Sequence, residues 1–246
     1  MSLEWIRAEW PAPPGIVAGT TTRRGGVSEG VYASMNLGSH VGDELQRVAE
    51  NRRRFVMECG LAAEPGWLTQ VHGTAVQVVG AENTAEADAA IAREPGAIVA
   101  VLTADCLPIL LCADDGVEVA AIHAGWRGLA AGIVAATIAH MDTPPERLLA
   151  WLGPAISQPA FEVGDEVRAA FMSADAAAEA CFEPNERGRW QADLYALAGR
   201  HLGAAGVSAV HGGGLCTFGD RDRFFSYRRD GQCGRMATFI QRTPAL

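Results

Sequence analysis

The strand-like runs of this chain lie too close together for helices to fit between most of them, and that closeness constrains the fold more than any other feature. Apolar or β-branched runs occur at 16–22, 67–71, 76–79, 97–102, 109–112, 117–122, 148–152, 208–211 and 235–241. Only a few residues separate 102 from 109 and 112 from 117, whereas a parallel pair needs a crossover of about a dozen residues or more. Antiparallel pairing follows, and a purely parallel dinucleotide-binding sheet is disfavoured. Helical periodicity with start and stop residues marks 44–59, begun after Asp43 and stopped by Gly60, then 129–141, 165–171, and 193–205, stopped by Gly206. No internal repeat is visible, and the Ala-rich stretch 174–180 reads as a surface helix or loop.

Three of the strand-like runs end in residues with metal-binding chemistry. His72 closes Trp67-Leu-Thr-Gln-Val, Cys106 follows Ile98-Val-Ala-Val-Leu-Thr-Ala-Asp105, and His123 closes Val117-Glu-Val-Ala-Ala-Ile. Each opens into small, turn-forming residues. Two imidazoles and a thiolate match what zinc takes, and three protein ligands leave the open position of a catalytic site. Taken singly, a cysteine in an apolar run is an ordinary small buried hydrophobe, and a histidine at a strand end is more often a hydrogen-bonded rim residue. The spacings of 34 and 17 residues match no short zinc signature. The repeated context carries the metal reading.

Charge and composition exclude several partners. A net charge of −9 and a pI near 5.1 leave no electrostatic footprint for nucleic acid or an anionic membrane. The longest apolar stretch, 97–113, is interrupted by Asp105 and Pro108 and falls short of a bilayer span. The first residues lack a signal-peptide apolar region, so a cytoplasmic location is expected. The six cysteines show no close pairing motif and are expected as thiols or ligands. All 20 basic residues are arginine, which excludes Schiff-base chemistry and a Walker-type phosphate loop. An anionic ligand must therefore be held by arginine or backbone N–H groups. The oligomeric state is left open.

Five blocks occurring in order give a family resemblance: Gln70-Val-His-Gly73, Thr103-Ala-Asp-Cys-Leu-Pro108, His123-Ala-Gly-Trp-Arg-Gly128, Trp151-Leu-Gly-Pro-Ala-Ile156 and Phe225-Ser-Tyr-Arg-Arg-Asp230. From Thr20 to Ile240 the chain resembles the laccase-domain family, also called polyphenol oxidase or peptidoglycan editing factor, whose members are regarded as purine nucleoside phosphorylases. The stretch 172–189 is least family-like and receives no function. The resemblance implies zinc on His72, Cys106 and His123, with copper as a possible substitute. It also implies cleavage of adenosine, inosine, guanosine and methylthioadenosine by phosphate, together with deamination of adenosine. The expected fold is α+β: a single domain over 1–246 of mixed, largely antiparallel sheets in a layered α/β/β/α sandwich with helices outside.

Roles for the remaining site candidates follow from chemistry. A metal ion that lowers the pKa of its water suits attack on the purine carbon bearing the amino group. Asp105, next to Cys106, is the nearest proton shuttle, or else a carboxylate that orients a ligating histidine. Phosphorolysis needs cationic donors, for which Arg127, before an apolar helical pattern, and Arg23, in a glycine turn, are the candidates. Asn36 could bond the sugar or base, and Trp126 or Tyr227 could stack on the purine, although a core role suits both aromatics better. Two rival chemistries use the same residues: a cysteine hydrolase with Cys106 as nucleophile and His123 as base, and editing of peptidoglycan precursors. Multi-copper oxidation is disfavoured because six histidines without an H-x-H pair cannot supply a trinuclear cluster beside a blue-copper centre.

Overall fold

Alternation of side chains along strands buried on both faces organises the whole structure. The computed structural model describes residues 2–81 and 86–243. Its strands are β1 (Trp5–Arg7), β2 (Ile16–Thr21), β3 (Val76–Val78), β4 (Ala89–Ala92), β5 (Ile98–Thr103), β6 (Leu107–Ala113), β7 (Val119–Ala124), β8 (Leu148–Leu152), β9 (Glu162–Val163), β10 (Phe182–Pro184), β11 (Trp190–Ala192), β12 (Ala209–Gly212) and β13 (Met236–Arg242). The α-helices are α1 (Leu45–Glu58), α2 (Trp126–Ala131), α3 (Ile133–His140), α4 (Asp165–Met172), α5 (Leu194–Ala204) and α6 (Tyr227–Asp230).

One sheet has the order β1-β2-β13-β5 and is antiparallel throughout. The larger one runs β12-β8-β6-β7-β4-β3, antiparallel in its middle and parallel at both ends, where β12 meets β8 and β3 meets β4. A small antiparallel sheet, β10-β11-β9, lies apart from these two.

The two main sheets face each other. Val99 and Val101 of β5 share a core with Leu110 and Cys112 of β6 and with Val119 and Ala121 of β7. The alternate residues of β5, Ile98, Ala100 and Leu102, turn outward onto Phe55 of α1. Those of β6 and β7, Ile109, Leu111, Ala120 and Ile122, turn onto Ile133 and Val134 of α3 and Leu197 of α5. The order of layers is helix, sheet, sheet, helix, as expected. Every residue of β5, β6 and β7 is buried, which is why their sequences are almost uniformly apolar.

Several elements differ from the sequence expectation. The run 67–71 is extended but joins no ladder: the Gln70 side chain instead donates to Leu102 O and accepts from Leu102 N, both at 2.8 Å, on β5. The helix expected over 129–141 is two helices broken at Gly132, whose φ of +96° suits a residue without Cβ. Strand β4 was hidden in an Ala-rich run of low β propensity. The segment 172–189 carries the end of α4, a 3₁₀ turn and β10. Among the described residues no helix is long and apolar enough to cross a membrane.

Candidate metal centre

The His72 turn, the Cys106 turn and the end of β7 converge, and Asp88 ties the first to the last. This residue precedes β4 and is fully buried. Its carboxylate accepts from the backbone N–H groups of His72 at 2.9 Å, Gly73 at 2.7 Å and Val71 at 3.2 Å. The fan of donors holds His72 in a left-handed conformation, φ +61°, that a non-glycine residue adopts only when its surroundings impose it. Asp88 Oδ1 also lies 2.7 Å from His123 Nδ1, and Asp88 O accepts from His123 N at 2.7 Å. Engaging Nδ1 leaves His123 Nε2 free to act as a donor to a metal.

Cys106 sits at the tight turn between β5 and β6, after Asp105, which is also left-handed at φ +88°. Its Sγ lies 3.7 Å from His72 Nε2, and the His72 and His123 rings meet edge to face with centroids 4.8 Å apart. One donor atom from each of His72, Cys106 and His123 falls within 4.8 Å of the others, and among the described residues this is the one such group. His123 is buried and His72 exposed, so the group opens on one side. Burial opposes ionisation of Cys106, but His123 and then His72 outweigh it and bring the thiol down to about 6. Burial likewise works against the Asp88 carboxylate, yet His123 and the N–H groups of Gly73 and Val71 hold it below the usual carboxylate range. A ready thiolate beside two imidazoles, one oriented by a carboxylate, is a donor set that suits zinc or copper.

The glycines of the His123-Ala-Gly-Trp-Arg-Gly128 block make room for this convergence. A Cβ on Gly125 would stand 2.6 Å from His72 Cδ2 and 3.2 Å from Cys106 Sγ; one on Gly128 would stand 2.9 Å from Gly73 O. Helix α2 therefore docks against the His72 turn at a distance only glycine allows.

The group lies in the wall of a cavity of about 410 Å³, with Gln70, Thr103, Tyr227 and Arg235 among its other lining residues and His40 at its rim. Not every expected site residue reaches it. Asn36 is fully buried, with Nδ2 donating to Gly38 O and Asp43 Oδ2 and Oδ1 accepting from Gly38 N and Arg235 N; its amide is saturated and does not face a ligand. Arg23 lies over the Phe225 ring and donates to Ala33 O and Arg221 O beside a separate open groove. Arg127 is exposed, lies over the Trp126 ring at 4.3 Å and does not line the cavity. Trp126 packs partly on the main core, as expected, whereas Tyr227, for which a core role was expected, is 61% exposed and lines the cavity.

Asp105 stays beside the centre, but its oxygens point to another task. Oδ1 accepts from Thr217 Oγ1 at 2.6 Å, and Oδ2 from Ser226 Oγ at 3.0 Å and Arg228 N at 2.7 Å. Ser226 and Arg228 flank Tyr227, so the carboxylate fixes the start of α6 and with it the aromatic ring at the cavity. Sequence reasoning missed Asp88, Arg235 and Gln70. Asp88 could have been noticed as the lone carboxylate in the apolar run Ala87-Asp-Ala-Ala-Ile-Ala92.

Comparison with known proteins agrees with this architecture. The family model described as multi-copper polyphenol oxidoreductase laccase matches residues 17–243. Proteins named purine nucleoside phosphorylase from Pseudomonas aeruginosa and Escherichia coli K12 are each 50% identical to this chain, over 239 and 237 residues, covering 96% of it and 97% of the relative. The crystal structure of a Neisseria meningitidis protein matches with a TM-score of 0.92 at 48% identity, covering 98% of this chain and 99% of that one. YlmD from Geobacillus stearothermophilus matches with a TM-score of 0.85 at 33% identity, over 98% and 96% of the two chains. With sequence and fold matched almost end to end, the chain belongs to the multi-copper polyphenol oxidoreductase laccase family.

Proposed function

We propose that this chain is a zinc-dependent purine nucleoside phosphorylase that cleaves adenosine, inosine, guanosine and methylthioadenosine with phosphate and also deaminates adenosine. The observation that carries the reading is the convergence of His72, Cys106 and His123 in the wall of a cavity of about 410 Å³, inside the size range of small-molecule sites. The name carried by relatives 50% identical over nearly the whole chain supplies the substrate class. Zinc held by the three side chains would supply a Lewis acid with one open position.

The protein's own residues do the positioning. Asp88 sets the ring of His123 and the turn of His72. Asp105 holds Tyr227 at the cavity, where its exposed ring offers a face on which a purine stacks. The site is expected to work in the cytoplasm, on nucleosides and phosphate.

Copper oxidation draws less support from the arrangement, because among the described residues His40 alone joins His72 and His123 in lining the cavity, too few imidazoles for a trinuclear cluster beside a blue-copper centre. His140 bonds Ala136 O on the surface, and His201 packs against Phe171. A second reading has a specific observation behind it: Asp88, His123 and Cys106 line up as orienting carboxylate, base and thiol, as in a cysteine hydrolase. Activity that survives complete metal removal would select that reading.

The test is chromatography of the products formed from adenosine with and without phosphate. Adenine and ribose 1-phosphate are expected only with phosphate, and inosine in either case. Metal-replete protein that yields none of these from any of the four nucleosides would overturn the proposal.

A further inference from the structure

We propose that Arg235, held in place by Asn36 and Gly38, is the group that binds the attacking phosphate; the assignment rests on the phosphorylase reading above. Arg235 is a partly buried guanidinium in the cavity wall with no carboxylate paired to it among the described residues, and no Asp or Glu lines that cavity. A charge held partly out of water without a counter-ion is costly, and an anionic ligand would offset that cost.

The residue is built in. Its backbone N donates to Asn36 Oδ1 at 2.9 Å. The same amide closes the 36–38 turn from both sides, and Gly38 lets the arginine stem pass, since a Cβ there would stand 2.9 Å from Arg235 Cγ. Nη1 donates to Cys233 O at 2.9 Å and Gly234 O at 3.0 Å. Those bonds orient the guanidinium plane and leave Nε and Nη2, the edge that grips two phosphate oxygens at once, with no hydrogen-bond partner among the described residues. The ring of Tyr227 lies 6.0 Å away, so the proposed anion subsite adjoins the proposed stacking face. Partial burial, then Arg235 and Arg52, lower the pKa of His40 at the rim, and a neutral imidazole there can accept a hydrogen bond from a protonated phosphate oxygen.

In the step this serves, an oxygen of hydrogen phosphate forms the bond to the anomeric carbon as the carbon–nitrogen glycosidic bond breaks. The electron pair of the broken bond leaves with the purine, and the phosphate's proton ends on the departing base. Ribose 1-phosphate and free purine account for every atom.

The experiment compares wild type with Arg235→Gln and Arg235→Lys, metal-replete, by phosphorolysis kinetics and by thermal melting with and without inorganic phosphate. Arg235→Gln is expected to raise the KM for phosphate tenfold or more, to leave the KM for nucleoside within twofold and the bound metal unchanged, and to abolish the rise in Tm that phosphate gives wild type. Arg235→Lys, which keeps the charge but loses the two-pronged edge, is expected to fall between, and it carries the test if Arg235→Gln does not fold. A phosphate KM within twofold of wild type in a folded variant, or a rise in Arg127→Gln in its place, would overturn the proposal. Wild type that forms no sugar phosphate yet shows an Arg235-dependent phosphate shift in Tm would sink the phosphorylase reading and leave the anion site standing. Absence of that shift in wild type would sink the anion site itself.

Discussion

Asp88 Oδ1 stands 2.7 Å from His123 Nδ1, and the same carboxylate accepts the backbone N–H of His72, so one buried side chain sets both imidazoles of the centre. Removing it should damage metal binding and fold together. Asp88→Ala is expected to weaken zinc affinity by about 10–100-fold, as loss of a residue that orients a metal ligand does. It should also cost about 3–5 kcal/mol, because buried donors lose their charged partner. Competition with a chromogenic chelator and denaturant unfolding measure the two effects. Since the Asp88 pKa is depressed in the folded state, its contribution is present above the unfolded carboxyl value of about 3.9 and is lost as pH falls through the lower folded value. Asp88→Asn should flatten that part of the acid unfolding curve, and an unchanged curve would contradict the role.

Cys106→Ser should separate the site from the scaffold. The side chain touches the centre but little of the core, so zinc stoichiometry should fall steeply while the melting temperature of metal-free protein changes by only a few degrees. Full metal content in the variant would reject Cys106 as a ligand.

Gly125→Ala asks whether close docking of α2 matters. The added methyl meets the His72 ring and the Cys106 sulfur, and overpacking of this kind costs about 1–3 kcal/mol. Metal content is expected to fall with it. Gly199→Ala is the contrast, since it lies inside α5 with open space around it and should stabilise by about 0.5–1 kcal/mol. Chelator titration and thermal melting of the pair decide the point.

Thiol reactivity reports the electrostatics of the centre directly. In metal-free protein, alkylation of Cys106 should rise with pH through an inflection near 6, because only the thiolate reacts and the histidines hold the thiol down to that value. Cys59 and Cys112, which burial pushes up to about 12, should stay unreactive across the range. Mass spectrometry of alkylated peptides reads both, and zinc should protect Cys106. An inflection near the ordinary thiol value of about 8.5 would contradict the geometry.

What could be read in advance divides along physical lines. The long strands β5 to β8 and β13 were legible because full burial made them apolar and β-branched, and α1 and α5 because start residues and a following glycine bracket them. His72, Cys106 and His123 were legible because the same context, a metal-binding side chain at the end of an apolar run followed by small residues, recurs three times, although each one singly has a commoner structural use. Asp88 was not, since an aspartate announces nothing about which backbone N–H groups it will collect. Arg235 reads in the sequence as the first residue of a strand, and only the folded chain shows that no carboxylate among the described residues pairs with its guanidinium. Arg23, Arg127 and Asn36 stand out in the sequence only through glycine turns and a helix start, which are local signals; distant partners, Phe225 for Arg23 and Arg235 N for Asn36, decide where two of those side chains go.

X-ray absorption at the zinc edge of the purified protein tests the central claim most directly. The account expects about one zinc per chain with one sulfur at about 2.3 Å and two imidazole nitrogens at about 2.0–2.1 Å, the sulfur lost in Cys106→Ser. A zinc shell without sulfur in wild-type protein, or protein fully active without bound metal, would contradict it.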